Sequence, residues 1–116
     1  MSKPSHKRKE IFKKRSYTRT LLLDAILRDG LYCHICGLET HPVTTIKQYG
    51  RSPLSPTADH YVPKSHGGGE FVENIRVAHK YCNEFRGTRI ITEELRRTCR
   101  EKITAMLAKN TGFQLD

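Results

Sequence analysis

Tryptophan is absent from this 116-residue chain, aromatic residues make up 8% of it, and hydrophobic residues only 36%. Those scarcities exclude a large apolar core, and the length leaves room for a single domain. No stretch approaches the roughly 20 apolar residues that a membrane span requires. Leu21–Leu23 stands in a short mixed segment, so no apolar signal core is expected near the start. The chain is therefore expected in the cytoplasm, where thiols stay reduced and its four cysteines read as metal ligands before disulfides. A core this thin often needs such a staple to hold one structure.

Acidic side chains are also scarce, 12 against 21 Lys and Arg, which leaves a net charge of +9. Its distribution says more than its total. Lys3, Lys7, Arg8, Lys9, Lys13, Lys14, Arg15 and Arg19 face Glu10 alone in residues 1–20, whereas the remainder is nearly balanced. Residues 1–17 are expected to be a disordered basic arm, since Ile11 and Phe12 are their only sizeable apolar residues. Such an arm suits a phosphate backbone, where neutralised charges release counterions without reading sequence.

Residues 18–116 read as one α+β domain. Thr18 or Thr20 can cap a helix whose apolar face is Leu22, Leu23, Ile26 and Leu27, stopped by Gly30. A knuckle-like turn follows at Tyr32–Gly37, and residues 38–57, broken by Pro42, Gly50, Pro53 and Pro56, read as an irregular loop. Strands are expected around Ala58–Val62 and Asn74–Ala78, flanking the turn-forming Lys64–Gly69. Asn83–Arg86 fits a short helix ended by Gly87. Thr92 can cap a last helix running to about Lys109, with Leu95, Cys99, Ile103, Met106 and Leu107 on its apolar face.

Two chelating pairs stand out: Cys33-x-x-Cys36 and His79-x-x-Cys82. Thiolates and imidazoles favour Zn²⁺, and four of them close a tetrahedral site with no position left for water, so this zinc is expected to be structural. The 42 residues between the pairs are far more than a DNA-reading zinc finger uses. Zinc would close a long loop at its base and display what lies between as a unit. Cys99 reads as core, and His34 and His41 as surface residues.

Between the pairs lies Ala58-Asp59-His60-Tyr61-Val62-Pro63-Lys64-Ser65-His66-Gly67-Gly68-Gly69, then Asn74, then Cys82-Asn83 and Arg86-Gly87. With the Cys pair before it, this series resembles the HNH endonuclease family over about residues 31–89. Two positions depart from the family pattern: His79 stands where Cys is commoner, and Asn83 where other members carry His. Both replacements keep a competent ligand. The resemblance implies a small zinc-stapled ββα-metal fold with flanking helices and a metal-dependent endonuclease that nicks or cleaves double-stranded DNA with weak sequence specificity. It also implies that Asn74 fixes the loop carrying His60 without touching metal, and that products carry 5′-phosphate and 3′-hydroxyl ends. Small stand-alone members resemble phage-encoded nucleases, which would set the protein in a bacterial or phage-infected cell with DNA-packaging proteins as partners.

The chemistry is consistent with that resemblance. Phosphodiester hydrolysis needs an activated water, a Lewis acid at the phosphate and help for the leaving oxygen. An imidazole such as His60 suits the base at neutral pH. Asp59 and Asn83 offer the hard oxygens that Mg²⁺ or Mn²⁺ prefers. Adjacent residues on a helical turn diverge by about 100°, so Cys82 and Asn83 can serve two different ions. Neighbours on a regular strand point to opposite faces, so bringing Asp59 and His60 to one phosphate calls for a twisted or bulged backbone. Lys64, His66 and Arg86 are candidate DNA contacts, and Arg96, Arg97 and Arg100 either form a solvated face or lie along DNA. Two other readings remain open: a zinc-stabilised, non-catalytic DNA-binding module, and a nuclease acting on RNA, which a basic arm does not distinguish from DNA.

Overall fold

The computed structural model describes residues 20–41 and 52–115, with side chains described up to Lys109. The arm at 1–17, and residues 42–51 of the irregular loop, lie outside the described residues. Helix α1 (residues 20–29) leads into the knuckle, and strands β1 (Pro56–His60) and β2 (Ile75–His79) form the only sheet among the described residues. β2 runs directly into α2 (Lys80–Arg86), and α3 (Glu93–Leu115) closes the chain. This is the small α+β arrangement expected, a ββα unit with helices on either side.

β1 and β2 pair antiparallel in unbroken register, from Pro56 opposite His79 to His60 opposite Ile75. The expected bulge is absent, and β1 lies two residues earlier than the composition suggested. Asn74 explains the early end. Its side chain takes Val62 N–H on Oδ1 at 2.9 Å and donates Nδ2 to Val62 O at 3.0 Å, replacing a strand partner there. The ladder therefore stops at His60.

Side chains alternate across β2, so its two faces enter two cores. Ile75 and Val77 pack with Leu21, Leu22 and Ala25 of α1, whereas Ala78 joins Ile35, Leu54, Leu95 and Ile103. The α1 face differs from expectation: Leu21, Leu22 and Ala25 are buried, while Leu23 and Leu27 are exposed. Three consecutive leucines permit either helical phase, and contact with β2 selects between them. Gly30 does stop α1, with φ +85° and its N–H on Ile26 O at 2.7 Å.

α3 carries the apolar face read from the sequence, with Leu95, Cys99 and Ile103 buried and Met106 and Leu107 half-buried. Thr92 Oγ1 accepts Leu95 N–H at 3.1 Å, a cap typically worth about 1 kcal/mol. The helix continues past Lys109 and through Gly112, so that glycine does not terminate it. No helix among the described residues is long and apolar enough to cross a membrane.

Candidate functional site

At one end of the hairpin, Cys33, Cys36, His79 and Cys82 are all buried, with ligand atoms within 4.8 Å of one another. Each pair is placed by a local turn. Gly37, at φ +84°, closes the knuckle through its N–H to Cys33 O at 2.8 Å. His79 is the last residue of β2, and the first turn of α2 brings Cys82 back beside it. The N–H groups of Cys36 and Leu38 point at Cys33 Sγ and Cys36 Sγ, both at 3.5 Å. Those contacts favour thiolates.

All four cysteines are free, so no disulfide competes for these thiols. Packed together, they cannot all ionise unaided. Hydrogen bonds from Cys36 and then Cys82 hold the Cys33 thiol far below its ordinary range, while bonding to Cys33 and Cys36 pushes Cys82 up. Burial lowers the pKa of His79, but hydrogen bonds and charge from Cys33 and Cys36 outweigh it and raise the value to about 9. A soft dication is what such a donor set accommodates. His79 Nε2 meets Glu39 O at 3.1 Å, which leaves Nδ1 for the metal, 3.3 Å from Cys36 Sγ and 3.8 Å from Cys82 Sγ. The four residues could hold zinc. Cys99 is buried outside this quartet, in the core, as read from the sequence.

At the other end of the hairpin, Asp59, His60, Lys64 and Asn83 line an open cavity of about 240 Å³ with Pro63, Ser65, Gly87 and Thr88. No bulge is needed for this meeting, because the cavity wraps the end of β1 where the chain leaves the ladder. Asp59 is 4% exposed and projects inward. The His60 side chain is 20% exposed, with Nε2 3.3 Å from Glu70 Oε2. Glu70 also pairs with Lys64 Nζ at 2.5 Å, and that hydrogen bond is the main reason its carboxyl is held below the usual range. Asn83 donates Nδ2 to Thr57 Oγ1 at 3.1 Å, and Thr57 in turn donates to Ala78 O at 2.8 Å. With its nitrogen committed, Oδ1 is the Asn83 atom that can serve a cation.

Asn74 holds the glycine turn. Besides its two bonds to Val62 it donates to Gly69 O at 3.0 Å, so one amide ties both ends of the turn. The backbone approach is close: a Cβ on Gly68 would lie 1.7 Å from Val62 O and 2.9 Å from Asn74 Nδ2. Gly67 has φ +91°, a conformation that favours glycine.

Three expectations are revised here. Arg86, read as a phosphate contact, is 3% exposed and faces inward. Its Nη1 lies 3.2 and 3.0 Å from the two Asp59 oxygens and 3.0 Å from His60 O, while Nη2 reaches Tyr61 O at 2.8 Å. Arg86 therefore ties α2 to the end of β1. His34, read as a surface residue, places Nε2 2.7 Å from Asp59 Oδ2. Arg96 and Arg100 donate to the backbone carbonyls of the knuckle, Arg96 to His34 O and Ile35 O and Arg100 to Cys36 O. His66 is exposed and lines a neighbouring cavity with Tyr61, Arg89 and Ile90, outside the one that holds His60.

Sequence reasoning missed Glu70 and the role of His34. A carboxylate directly after three glycines is the only signal Glu70 offered, and a histidine inside the Cys pair the only one for His34. Residues 33–89 match the family model described as HNH endonuclease. No curated protein and no solved structure matches the chain.

Proposed function

The chain belongs to the HNH endonuclease family, and from that premise we propose that it hydrolyses phosphodiester bonds of double-stranded DNA, nicking or cleaving with weak sequence specificity. The observation that carries the reading is the convergence of His60, Asp59 and Asn83 on one cavity, with Asn83 next in sequence to Cys82 of the zinc-type quartet. Zinc is structural in this reading. Asp59 and Asn83 would hold a Mg²⁺ or Mn²⁺ ion, which supplies Lewis acidity at the phosphate when bound. The donor set fits: a carboxylate and an amide oxygen are hard ligands, and an open cavity leaves room for the several waters that Mg²⁺ keeps.

His60 is the general base. An ionised Glu70 accepts the Nε2 proton of His60, so Nδ1 is the nitrogen that takes a proton from the attacking water. Asn74 acts at a distance by holding the 62–69 turn, which forms the cavity wall beside His60. Lys64, paired with Glu70, would meet a phosphate oxygen, and His66 lies further out along the same turn. The basic arm, outside the described residues, adds affinity without sequence preference. Residues 18–116 then act as a single nuclease domain.

Incubating supercoiled plasmid with the protein and Mg²⁺ or Mn²⁺, with EDTA and His60→Ala controls, tests the reading. Conversion to nicked circles that both controls abolish supports it. DNA binding without nicking under any divalent ion would replace it with a non-catalytic zinc module. Faster digestion of a matched RNA duplex would move the substrate from DNA to RNA.

A further inference from the structure

We propose that His34 is a positioning residue for Asp59, so that the zinc knuckle itself aims the carboxylate of the second metal site. The inference rests on the reading of Asp59 as a dication ligand given above. His34 stands between the two knuckle cysteines but is not one of the four converging ligands. Its Nε2 lies 2.7 Å from Asp59 Oδ2, with the two side chains only 15% and 5% exposed. An ionised carboxylate is an acceptor alone, so Nε2 donates in this contact.

The donor is mounted on a stiff frame. His34 N–H bonds Val77 O at 2.8 Å, and His34 O accepts Arg96 Nη1 at 2.8 Å, which fixes its backbone to β2 on one side and to α3 on the other. The ring also meets Tyr61 edge-on, with centroids 6.1 Å apart. A ring whose backbone is tied to two elements and whose edge meets Tyr61 has little freedom to follow a wandering carboxylate. The carboxylate instead settles where the ring directs it.

The pattern of bonds on Asp59 decides what remains for a cation. Oδ2 receives both His34 and Arg86, whereas Oδ1 receives Arg86 alone, at 3.2 Å. A carboxylate oxygen offers about two acceptor positions, so Oδ2 is filled and Oδ1 retains one. His34 thus turns Asp59 into a one-oxygen ligand with a fixed direction. Outer partners of metal ligands typically contribute about 10–100-fold in metal affinity.

Mn²⁺ binding to the zinc-loaded full chain, without DNA, tests the proposal by electron paramagnetic resonance. Four proteins are compared: wild type, His34→Phe (a ring with no donor), His34→Gln (a donor on another frame) and Asp59→Ala as the zero. We expect His34→Phe to bind Mn²⁺ at least about tenfold more weakly while keeping one zinc per chain, and His34→Gln to recover most of the loss. Unchanged Mn²⁺ affinity in His34→Phe overturns the proposal. So does equal weakening in both variants, or loss of zinc from His34→Phe, which would make His34 a prop of the knuckle alone. The same preparations are assayed for plasmid nicking. A wild type that binds Mn²⁺ at Asp59 but never nicks removes the nuclease reading and leaves the His34 result standing. A wild type that binds no Mn²⁺ removes both.

Discussion

The two ends of the β hairpin are built to opposite rules. At the Pro56–His79 end, four soft ligands are buried and converge within 4.8 Å. At the His60–Ile75 end, hard oxygens and an imidazole line an open cavity, with His60 and Lys64 side chains 20% and 60% exposed. One end is closed, as a structural metal site would be; the other is open. In the proposed reading, stability and reactivity are separated along one short ladder, and substitutions at the two ends should differ in kind.

The largest effect is expected at the closed end. Structural zinc can be worth on the order of 10 kcal/mol in small domains, so Cys82→Ser should lose zinc and the cooperative unfolding transition together. Metal content and urea denaturation followed by circular dichroism check this, and a variant as stable as wild type would show that the quartet is no staple. Next comes His60→Ala at the open end. Removing a general base should lower the nicking rate by about 10²–10⁴-fold, with zinc content and melting temperature unchanged. A collapse in melting temperature would erase the contrast between the ends.

Arg86 lies between these extremes and sharpens the comparison. It is buried against buried Asp59, so Arg86→Met strands a carboxylate and should cost about 3–5 kcal/mol in urea denaturation. If the loss is below about 1 kcal/mol, the ion pair is not what joins α2 to β1. The smallest change belongs to Lys64→Ala. Its partner Glu70 is a partly exposed surface carboxylate, so stability should barely move, while the slope of log affinity for DNA against log salt should fall by about one. An unchanged slope would remove Lys64 from the DNA contact.

How much of this was legible in the sequence depended on how local each signal was. The zinc quartet was readable because each half is a short chelating motif, and the apolar stripe of α3 because it repeats on one helical face. His60, Asp59 and Asn83 were singled out together and line one cavity. What could not be read were contacts made by long side chains across the fold. Arg86 looked like a free cation until the carbonyls of His60 and Tyr61, some 25 residues away, enclosed it. His34 meets Asp59 across the same span of sequence. The supposed need for a bulge failed for another reason: Asp59 and His60 are consecutive residues of a regular ladder, yet both line the cavity at its end.

Cys82 and Asn83 are consecutive residues on a single turn of α2. Loss of an ion from the first would free the backbone that presents the second, so the two occupancies would be coupled. Chelator experiments on this protein should consequently depend on history. Brief EDTA treatment should be reversed by Mg²⁺ alone, whereas prolonged exposure should require Zn²⁺ first, with a lag set by refolding of the turn.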